Sequence, residues 1–572
     1  MRCIKKTENS YLFSWAWLLA IIRSITLVFF SLYQSRTCFL IELDFRRFSL
    51  FPFSVPVVID LFSVIFSITV LTISSWVALF RIFYIHNEPT GTRFIKILIL
   101  FVAAINILIF IPRILGLMVG WDGLGVVSFL LVIYYRNRES LAAGMITALI
   151  NRIGDRLFIL FLGFNATIFR WHFSDSFLGI FSLPILLAMV VGGITKRAQI
   201  PFAAWLPAAI AAPTPVSTLV HSSTLVTAGV YVLLRFRESL NGLPLIFLII
   251  SSIMTLLIAG ISATIERDLK KIVALSTLRQ LGVILFALSN QMPNICFFHL
   301  ITHAFFKATI FLCVGTLIFT RGGIQDYRLS GGCWYKIPVV SSWLIVCCIC
   351  LTGLPFTSGF LSKDVIVERC LWNDLRMLTV VYIFFSVVLT AIYSTRIIFT
   401  IAFAKSYNSV ETINDQKQKY ATIPITGMGI IALFSGWLIQ NTRVSFNQYI
   451  LIPGTLKRLT ITRVVIGLII SLFIFIISQK KYIINNNFFS WFFKKIWFLT
   501  EVRGNPVRVS FLSISLKIYR SIEKSWVSDF WNKNVKETLT FLNVGIRKRQ
   551  NHILGKIFLL RVLSFLLFIL IK

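Results

Sequence analysis

Apolar stretches long enough to cross a membrane, separated by short polar breaks, recur along the whole chain. They run over roughly 11–33, 54–86, 94–112, 114–135, 140–169, 177–195, 216–236, 243–264, 271–290, 294–319, 337–354, 375–404, 420–439, 459–478 and 555–571. A helix needs about 20 apolar residues to cross a hydrocarbon layer about 30 Å thick. Counting half-helices near 200 and 360, the pattern predicts an all-α integral membrane protein with about 14–16 transmembrane helices in one bundle.

Two segments interrupt the helical pattern in related ways. The first is Gly192-Gly193-Ile194-Thr195-Lys196-Arg197-Ala198-Gln199-Ile200-Pro201, continuing through Trp205, Pro207, Pro213 and Pro215. Prolines at this density cannot lie in one unbroken helix. The second is Leu351-Thr352-Gly353-Leu354-Pro355-Phe356-Thr357-Ser358-Gly359-Phe360-Leu361-Ser362-Lys363-Asp364. Each joins a Pro/Gly cluster to a lysine. Discontinuous helices in corresponding halves of a transporter mark internal repeats, with an ion site between the half-helix ends. Re-entrant or surface loops are the alternative.

The tail has another pattern. Between Lys480 and His552 there are 14 Lys/Arg and four Asp/Glu, and Phe511, Ile514, Ile518, Ile522, Trp526 and Phe530 recur at helical spacing. This predicts an amphipathic helix lying along a membrane or partner surface. The run Ile557–Ile571, despite Arg561, then predicts a last crossing.

Composition agrees with the membrane reading. The chain has 572 residues, 57% hydrophobic and 14% charged, with mean hydropathy +0.84, which excludes a water-soluble globule. Its net charge of +34 would suggest nucleic acid in a soluble protein. In this apolar setting it predicts contact with phospholipid headgroups or acidic partner subunits instead, and no nucleic acid. Nine cysteines lie scattered, mostly in apolar runs; Cys347 and Cys350 have metal-type spacing but no second ligand pair, so they read as structural thiols, with no metal and no redox centre in the chain. Lys5 and Lys6 precede an apolar run from Tyr11 to Tyr33 that is too long for a cleaved signal and reads as a retained first helix.

The chemistry lies inside the apolar runs. His299, His303 and Lys307 stand at i, i+4 and i+8, so a helix puts them on one face. Ionisable groups at that depth cost about 3 kcal/mol or more and normally line a hydrated path, usually for protons. Asp122, in Val119-Gly120-Trp121-Asp122-Gly123-Leu124-Gly125, needs a cationic partner or a proton, and Lys196 is the candidate partner. A static ion pair is the alternative. In Asn151-Arg152-Ile153-Gly154-Asp155, Arg152 and Asp155 pair at i, i+3, for neutralisation or for proton entry. His221, among Ser217, Thr218, Ser222, Ser223 and Thr224, suits a relay through bridging waters. Lys363, next to Asp364, is the candidate exit group or else a lysine reaching for the interface.

These stretches resemble the antiporter-like membrane subunits of respiratory complex I. The resemblance is carried by Gly120-Trp121-Asp122-Gly123-Leu124-Gly125, Asn151-Arg152-Ile153-Gly154-Asp155, Lys196-Arg197-Ala198-Gln199-Ile200-Pro201-Phe202 with Trp205-Leu206-Pro207, Ala212-Pro213-Thr214-Pro215-Val216-Ser217, Thr302-His303-Ala304-Phe305-Phe306-Lys307-Ala308 and Gly359-Phe360-Leu361-Ser362-Lys363-Asp364. It covers about residues 55–400. A lateral helix followed by one more span is similar to the tail that sets one of these subunits apart from the others. The resemblance implies a core of 14 helices with two inverted five-helix repeats, then an extra helix, the lateral helix and a last span. It also implies that Asp122 is the carboxylate, Lys196 its partner, His221 the relay, Lys307 the central lysine and Lys363 the output. Bacterial relatives commonly carry Glu where Asp122 stands, so that pairing with Lys196 could run through a water.

Domains are accordingly expected at 1–113 (first helices), 114–404 (antiporter-like core), 405–479 (remaining core helices), 480–554 (lateral helix region) and 555–572 (final span). The function the resemblance implies is proton translocation as a membrane subunit of NADH:ubiquinone oxidoreductase. On that reading NADH, FMN, iron-sulfur clusters and ubiquinone are bound by other subunits, the partners are the neighbouring membrane subunits and phospholipid with cardiolipin among the candidates, and the location is the mitochondrial or else the bacterial inner membrane. The other readings are a subunit of a multi-subunit Na+/H+ antiporter, or a structural clamp of the membrane arm.

Overall fold

The computed structural model describes residues 38–44, 54–85, 91–167, 183–240, 242–372, 377–404, 415–440, 454–480, 506–521 and 535–570, together with Ile21, Ile22, Ile25, Thr26, Glu88, Phe492 and Phe493. Of the expected first helix only Ile21, Ile22, Ile25 and Thr26 are described, and they are helical; its other residues, and the positions Ile522, Trp526 and Phe530, lie outside the described residues. The chain divides into two compact units, Met1–Trp497 and Phe498–Lys572.

The first unit opens on an antiparallel pair, β1 (Phe39–Asp44) and β2 (Ser54–Ile59), with Phe39 opposite Ile59 and Asp44 opposite Ser54. The apolar pattern alone predicts a membrane-crossing helix over 54–86. Six of those residues, Ser-Val-Pro-Val-Val-Ile, are instead a strand: β-branched residues favour extended backbone, and Pro56 is tolerated because both strands of a two-stranded sheet are edges. Asp60 then starts α1 (Leu61–Tyr84) with a capping box. Its carboxylate accepts from Ser63 N–H at 2.8 Å, and its own N–H donates to Ser63 Oγ at 3.0 Å.

Asp60 also receives Arg235 in a two-pronged pair, Nη1 to Oδ2 at 2.5 Å and Nη2 to Oδ1 at 2.8 Å. Arg235 donates as well to Tyr231, whose hydroxyl donates to the Ile109 carbonyl at 3.1 Å. Burial disfavours the charge on Asp60, but Arg235 and Ser63 outweigh it and hold the carboxyl below its usual range.

The helices that follow are α2 (Gly91–Phe110), α3 (Ile114–Val132), α4 (Arg138–Thr167) and α5 (Leu183–Lys196), then α6 (Thr214–Arg235), α7 (Leu243–Ile265), α8 (Leu269–Ser289) and α9 (Pro293–Thr320). Next come α10 (Pro338–Thr352), α11 (Val365–Trp372), α12 (Met377–Ile398), α13 (Asp415–Gln440) and α14 (Gly454–Lys480). Among the described residues nine helices are long and apolar enough to cross a membrane, and shorter apolar helices add to them. The chain is therefore an α-helical integral membrane protein. Helix α9 is central, packed against α1, α8, α10 and α13 and the first turns of α6, and α6, α8 and α9 are buried along their spanning lengths.

Both expected breaks are present. After α5 the backbone turns through Ala198 at φ 55°, forms a short helix at Trp205–Ala208, and passes through extended Ala212 and Pro213 before α6. The indole of Trp205 donates to the freed Thr195 carbonyl at 2.9 Å, and Arg197 reaches the Gly229 carbonyl. Helix α10 ends at Gly353, left-handed at φ 82°, and the chain becomes helical again through a π-helical turn, Phe360–Asp364, that runs into α11. A π-helical stretch, Ser217–Thr224, also opens α6. Each of these two π segments carries a predicted site residue, His221 in one and Lys363 in the other; a third, Phe399–Phe403, carries none.

The second unit contains α15 (Pro506–Ile518) and α16 (Lys536–Leu570). The expected boundary at 554/555 is not a break, because α16 runs through it as one 35-residue helix that no proline interrupts.

Candidate functional site

The site residues fall into three groups, each set by a helix end or a helix face. In the first, Lys196 is the last residue of α5 and is fully buried (0% exposed). Its ammonium donates to the Trp121 carbonyl at 2.5 Å, lies 4.0 Å from the centre of the Trp121 ring, and pairs with Asp155 Oδ1 at 3.7 Å. Asp155 also pairs with Arg152 at 3.7 Å, joining a buried cation to one 59% exposed. Gly154 permits this approach, since a Cβ there would lie 2.0 Å from the Thr195 hydroxyl on α5.

The direct carboxylate partner of Lys196 is thus Asp155, not Asp122 as the motif suggested. Asp122 follows Trp121 on α3, and consecutive helical residues point about 100° apart. With Trp121 turned onto Lys196, Asp122 is turned aside: its Oδ1 has no hydrogen-bond partner, though its charge acts on Lys196 and Asp155.

In the second group, His221 is buried in the first π-helical stretch, its ring 6.0 Å from that of Trp205. Neither ring nitrogen has a hydrogen-bond partner among the described residues. The hydroxyls expected to serve it are committed to backbone carbonyls. Ser217 donates to Pro213, Thr218 to Pro215, Ser222 to Thr218, Ser223 to Leu219 and Thr224 to Leu219. They satisfy the irregular backbone of the π stretch rather than the imidazole.

The third group is built on α9. The His299, His303, Lys307 stripe forms as its spacing predicts, and all three are fully buried. His299 Nδ1 lies 3.0 Å from Ser362 Oγ and Nε2 lies 3.4 Å from Gln280 Oε1. Thr302 donates to the same Ser362 hydroxyl at 3.0 Å. The His303 ring stands 6.2 Å from that of His299, without a hydrogen-bond partner. Lys307 donates to Ser276 on α8.

Lys363, 1% exposed, turns back onto the end of α10, donating to the Leu351 and Thr352 carbonyls at 3.4 and 3.2 Å and to the Thr390 hydroxyl at 3.0 Å. The last carbonyls of a helix have no partners within it and favour a cation, so the break creates the seat that the lysine fills. Asp364 makes no ion pair with Lys363 among the described residues; it faces Gly353, and its charge acts on Lys363 and, less, on buried Arg463 on α14.

Several partners were missed in the sequence. Ser276 and Gln280 hold Lys307 and His299, Ser362 joins His299 to Thr302, and buried Lys270 donates to the Ala212 carbonyl at the first break at 3.5 Å. A signal was available: Lys270, Ser276, Thr277, Arg279 and Gln280 are polar within α8, a helix that had been read only as an apolar run. The eight described cysteines are free, seven of them buried.

Residues 112–392 match the family described as NADH:quinone oxidoreductase/Mrp antiporter, TM, and residues 393–572 match NADH dehydrogenase subunit 5 C-terminus. NADH-ubiquinone oxidoreductase chain 5 of Locusta migratoria is 39% identical over 82% of this chain and 83% of its own. The proteins of that name from Lumbricus terrestris and Aedes aegypti are both 37% identical, the first over 85% of this chain and 86% of its own, the second over 90% and 89%. Among solved structures, the Mrp complex from Dietzia sp. is similar in fold at TM-score 0.71 and 19% identity, over 92% of this chain and 60% of the other. The archaeal membrane-bound sulfane sulfur reductase gives TM-score 0.67 at 20% identity, over 76% of this chain and 91% of the other. Likeness to relatives over a third identical along more than four fifths of both chains, with matched family segments that meet end to end, means that this chain belongs to the NADH-ubiquinone oxidoreductase chain 5 family.

Proposed function

We propose that the chain is a proton-translocating membrane subunit of NADH:ubiquinone oxidoreductase, and that protons pass through Asp122, Asp155, Lys196, His221, His299, His303, Lys307 and Lys363, with Arg152 and Asp364 tuning the two ends. The observation that carries the reading is how the lysines are held. Lys307 is fully buried on a single serine hydroxyl, and Lys363 rests on two carbonyls and a threonine. Neither has a carboxylate within ion-pair distance among the described residues. A buried cation without a counter-charge is costly, whereas a neutral amine on hydroxyls and carbonyls is not, so such a lysine can take up and give away a proton.

On this reading the redox chemistry of NADH, flavin, iron-sulfur clusters and ubiquinone belongs to other subunits, and this chain takes the energy released there. Residues 114–404 are the translocating core, 1–113 and 405–479 its flanking helices, and 480–572 the lateral region and its anchor, joined through 554/555 by α16. The partners are neighbouring membrane subunits and phospholipid, in the mitochondrial inner membrane.

Replacing Lys307 with alanine in the assembled complex is expected to lower the number of protons moved per electron; an unchanged ratio would overturn the reading. The fold shared with the Mrp complex favours a second reading, a Na+/H+ antiporter subunit. Sodium-dependent pumping by the purified membrane assembly, without NADH, would select it.

A further inference from the structure

Helices α3, α4 and α5 meet at one aromatic ring. Trp121 on α3 is fully buried, and its indole stands 4.4 Å from the ring of Phe158 on α4, tilted by 55°. Glycines set that position from two sides. A Cβ on Gly120 would lie 2.8 Å from the backbone nitrogen of Leu108 on α2, and one on Gly192 of α5 would lie 2.9 Å from the Phe158 ring, so both helices are seated at closest approach.

Onto this ring α5 delivers its last residue. The Lys196 ammonium lies 4.0 Å from the centre of the indole, donates to the carbonyl of the same tryptophan and pairs with Asp155 at 3.7 Å. A Cβ on Gly125, one turn further along α3, would lie 3.8 Å from Nζ, so the helix passes close to the ammonium without crowding it. The contacts do not treat the two states of the amine alike. A carbonyl accepts an N–H from an ammonium or from a neutral amine. The face of an aromatic ring is electron-rich and attracts the cation, and burial removes the water that would weaken that attraction. The indole N–H acts on Asp155 but completes no hydrogen bond among the described residues, so what the ring offers the lysine is its face.

We propose that Trp121 holds Lys196 by its π face only while the lysine carries a proton, and so sets how readily Lys196 gives that proton up. The inference rests on the proton-translocation reading and makes Trp121 a positioning residue that acts through Lys196. Of the charged and titratable groups around the lysine, α4 brings Asp155 with Arg152 paired to it, and exposed Arg138, Glu139 and Arg156; α3 brings Asp122. Helix α6 brings His221, Tyr231 and Arg235, the last paired with Asp60, and α2, packed against α3, brings exposed Arg93 and Lys96. Helix α7 contributes none within its span, and Arg197, next in sequence, is turned to the Gly229 carbonyl. The anions that act on Lys196, Asp155 and Asp122, can each be discharged by a proton. The ring cannot, so its hold on the ammonium is the same whichever carboxylate is ionised.

The test is the pH profile of NADH-driven proton pumping by the assembled complex in liposomes. In Trp121→Met, apolar but without a π face, the protonated lysine is less favoured and empties at lower pH, so the alkaline limb of the profile is expected to move down by about one pH unit. Trp121→Phe keeps a face, weaker than that of indole, and is expected to move the limb by about half as much. An unmoved limb in Trp121→Met, or an equal displacement in Trp121→Met and Trp121→Phe, would overturn the inference, the second because it marks lost volume or a lost N–H rather than a lost face. Should Trp121→Met fail to assemble, Trp121→Leu takes its place with the same criteria; should neither assemble, Trp121→Phe decides by itself, and an unmoved limb there overturns the inference. Lys307→Ala separates the two levels: full pumping in that variant sinks the translocation reading, whereas lost pumping with an unmoved Trp121→Met profile sinks only the role given to the ring.

Discussion

Asp155 touches Lys196 across a helix interface, while Asp122, on the same helix as the tryptophan that seats the ammonium, acts only at a distance. The two carboxylates should therefore be unequal. Asp155→Asn removes the one anion that, among the described residues, is in ion-pair contact with fully buried Lys196, and is expected to lower the pumping rate about tenfold or more. Asp122→Asn should cost less, because the carbonyl and ring of Trp121 and the carboxylate of Asp155 still hold the ammonium. Pumping rates of the two variants at matched complex content decide it, and a larger loss in Asp122→Asn would reverse the assignment. At this scale the sequence revealed which residues are chemical but not how they pair. Asp122 and Asp155 both stand out as carboxylates in apolar runs. Which one meets Lys196 depends on the rotation of α3 and α4 about their axes, and a motif does not record rotation. Arg279, Ser276 and Gln280 escaped for a different reason: they share one face of α8, but the run around them is apolar enough to read as a plain span.

Helix ends, more than helix bodies, organise this site, and their breaks were legible because proline and glycine act locally. The prolines around 201–215 and the Gly353-Leu354-Pro355 turn fall where the helices stop. The π-helical geometry just beyond each break was not legible, nor was the β1–β2 pair, whose Val/Ile-rich second strand has the same apolar signature as the helix it precedes. The second break depends on one close contact. A Cβ on Gly359 would lie 1.8 Å from the Cys350 carbonyl oxygen, so α10 and the π turn that carries Lys363 could not keep their spacing. Gly359→Ala is expected to cost about 1–3 kcal/mol or more through forced separation of backbone. It should lower the thermal inactivation temperature of the purified complex by several degrees, with loss of pumping. Gly163→Ala, on a stretch of α4 where nothing stands within 4 Å, is the control and should change neither. Equal behaviour of the two variants would mean that the contact at Gly359 is not what holds the break in place.

The chain separates into a unit with a buried interior and a unit whose described residues show none. In the first, polar and charged side chains such as Lys196, Arg279 and Lys307 are enclosed by apolar helices. In the second, residues 536–563 of α16 are exposed throughout, large apolar side chains included: Phe541 at 80% and Phe558 at 72%. Residues 498–572 carry 13 Lys/Arg against four Asp/Glu. A long helix with apolar side chains on its surface and a basic excess is not stable against water alone; it needs lipid tails, anionic headgroups or the surfaces of neighbouring subunits. The proposed translocation path and the proposed means of attachment therefore lie in different parts of the chain, and removing the second should spare the first. A chain ending at Trp497 is expected to keep the packing around α9 but to bring down severalfold less of its neighbouring membrane subunits in mild detergent, with the difference widening as salt rises because the basic residues contribute through charge. Quantitative co-purification of the full and shortened chains at two ionic strengths measures this. Undiminished recovery of neighbours by the shortened chain would mean that its surface up to Trp497 is sufficient for assembly, and would move the role of residues 498–572 from attachment to lipid contact.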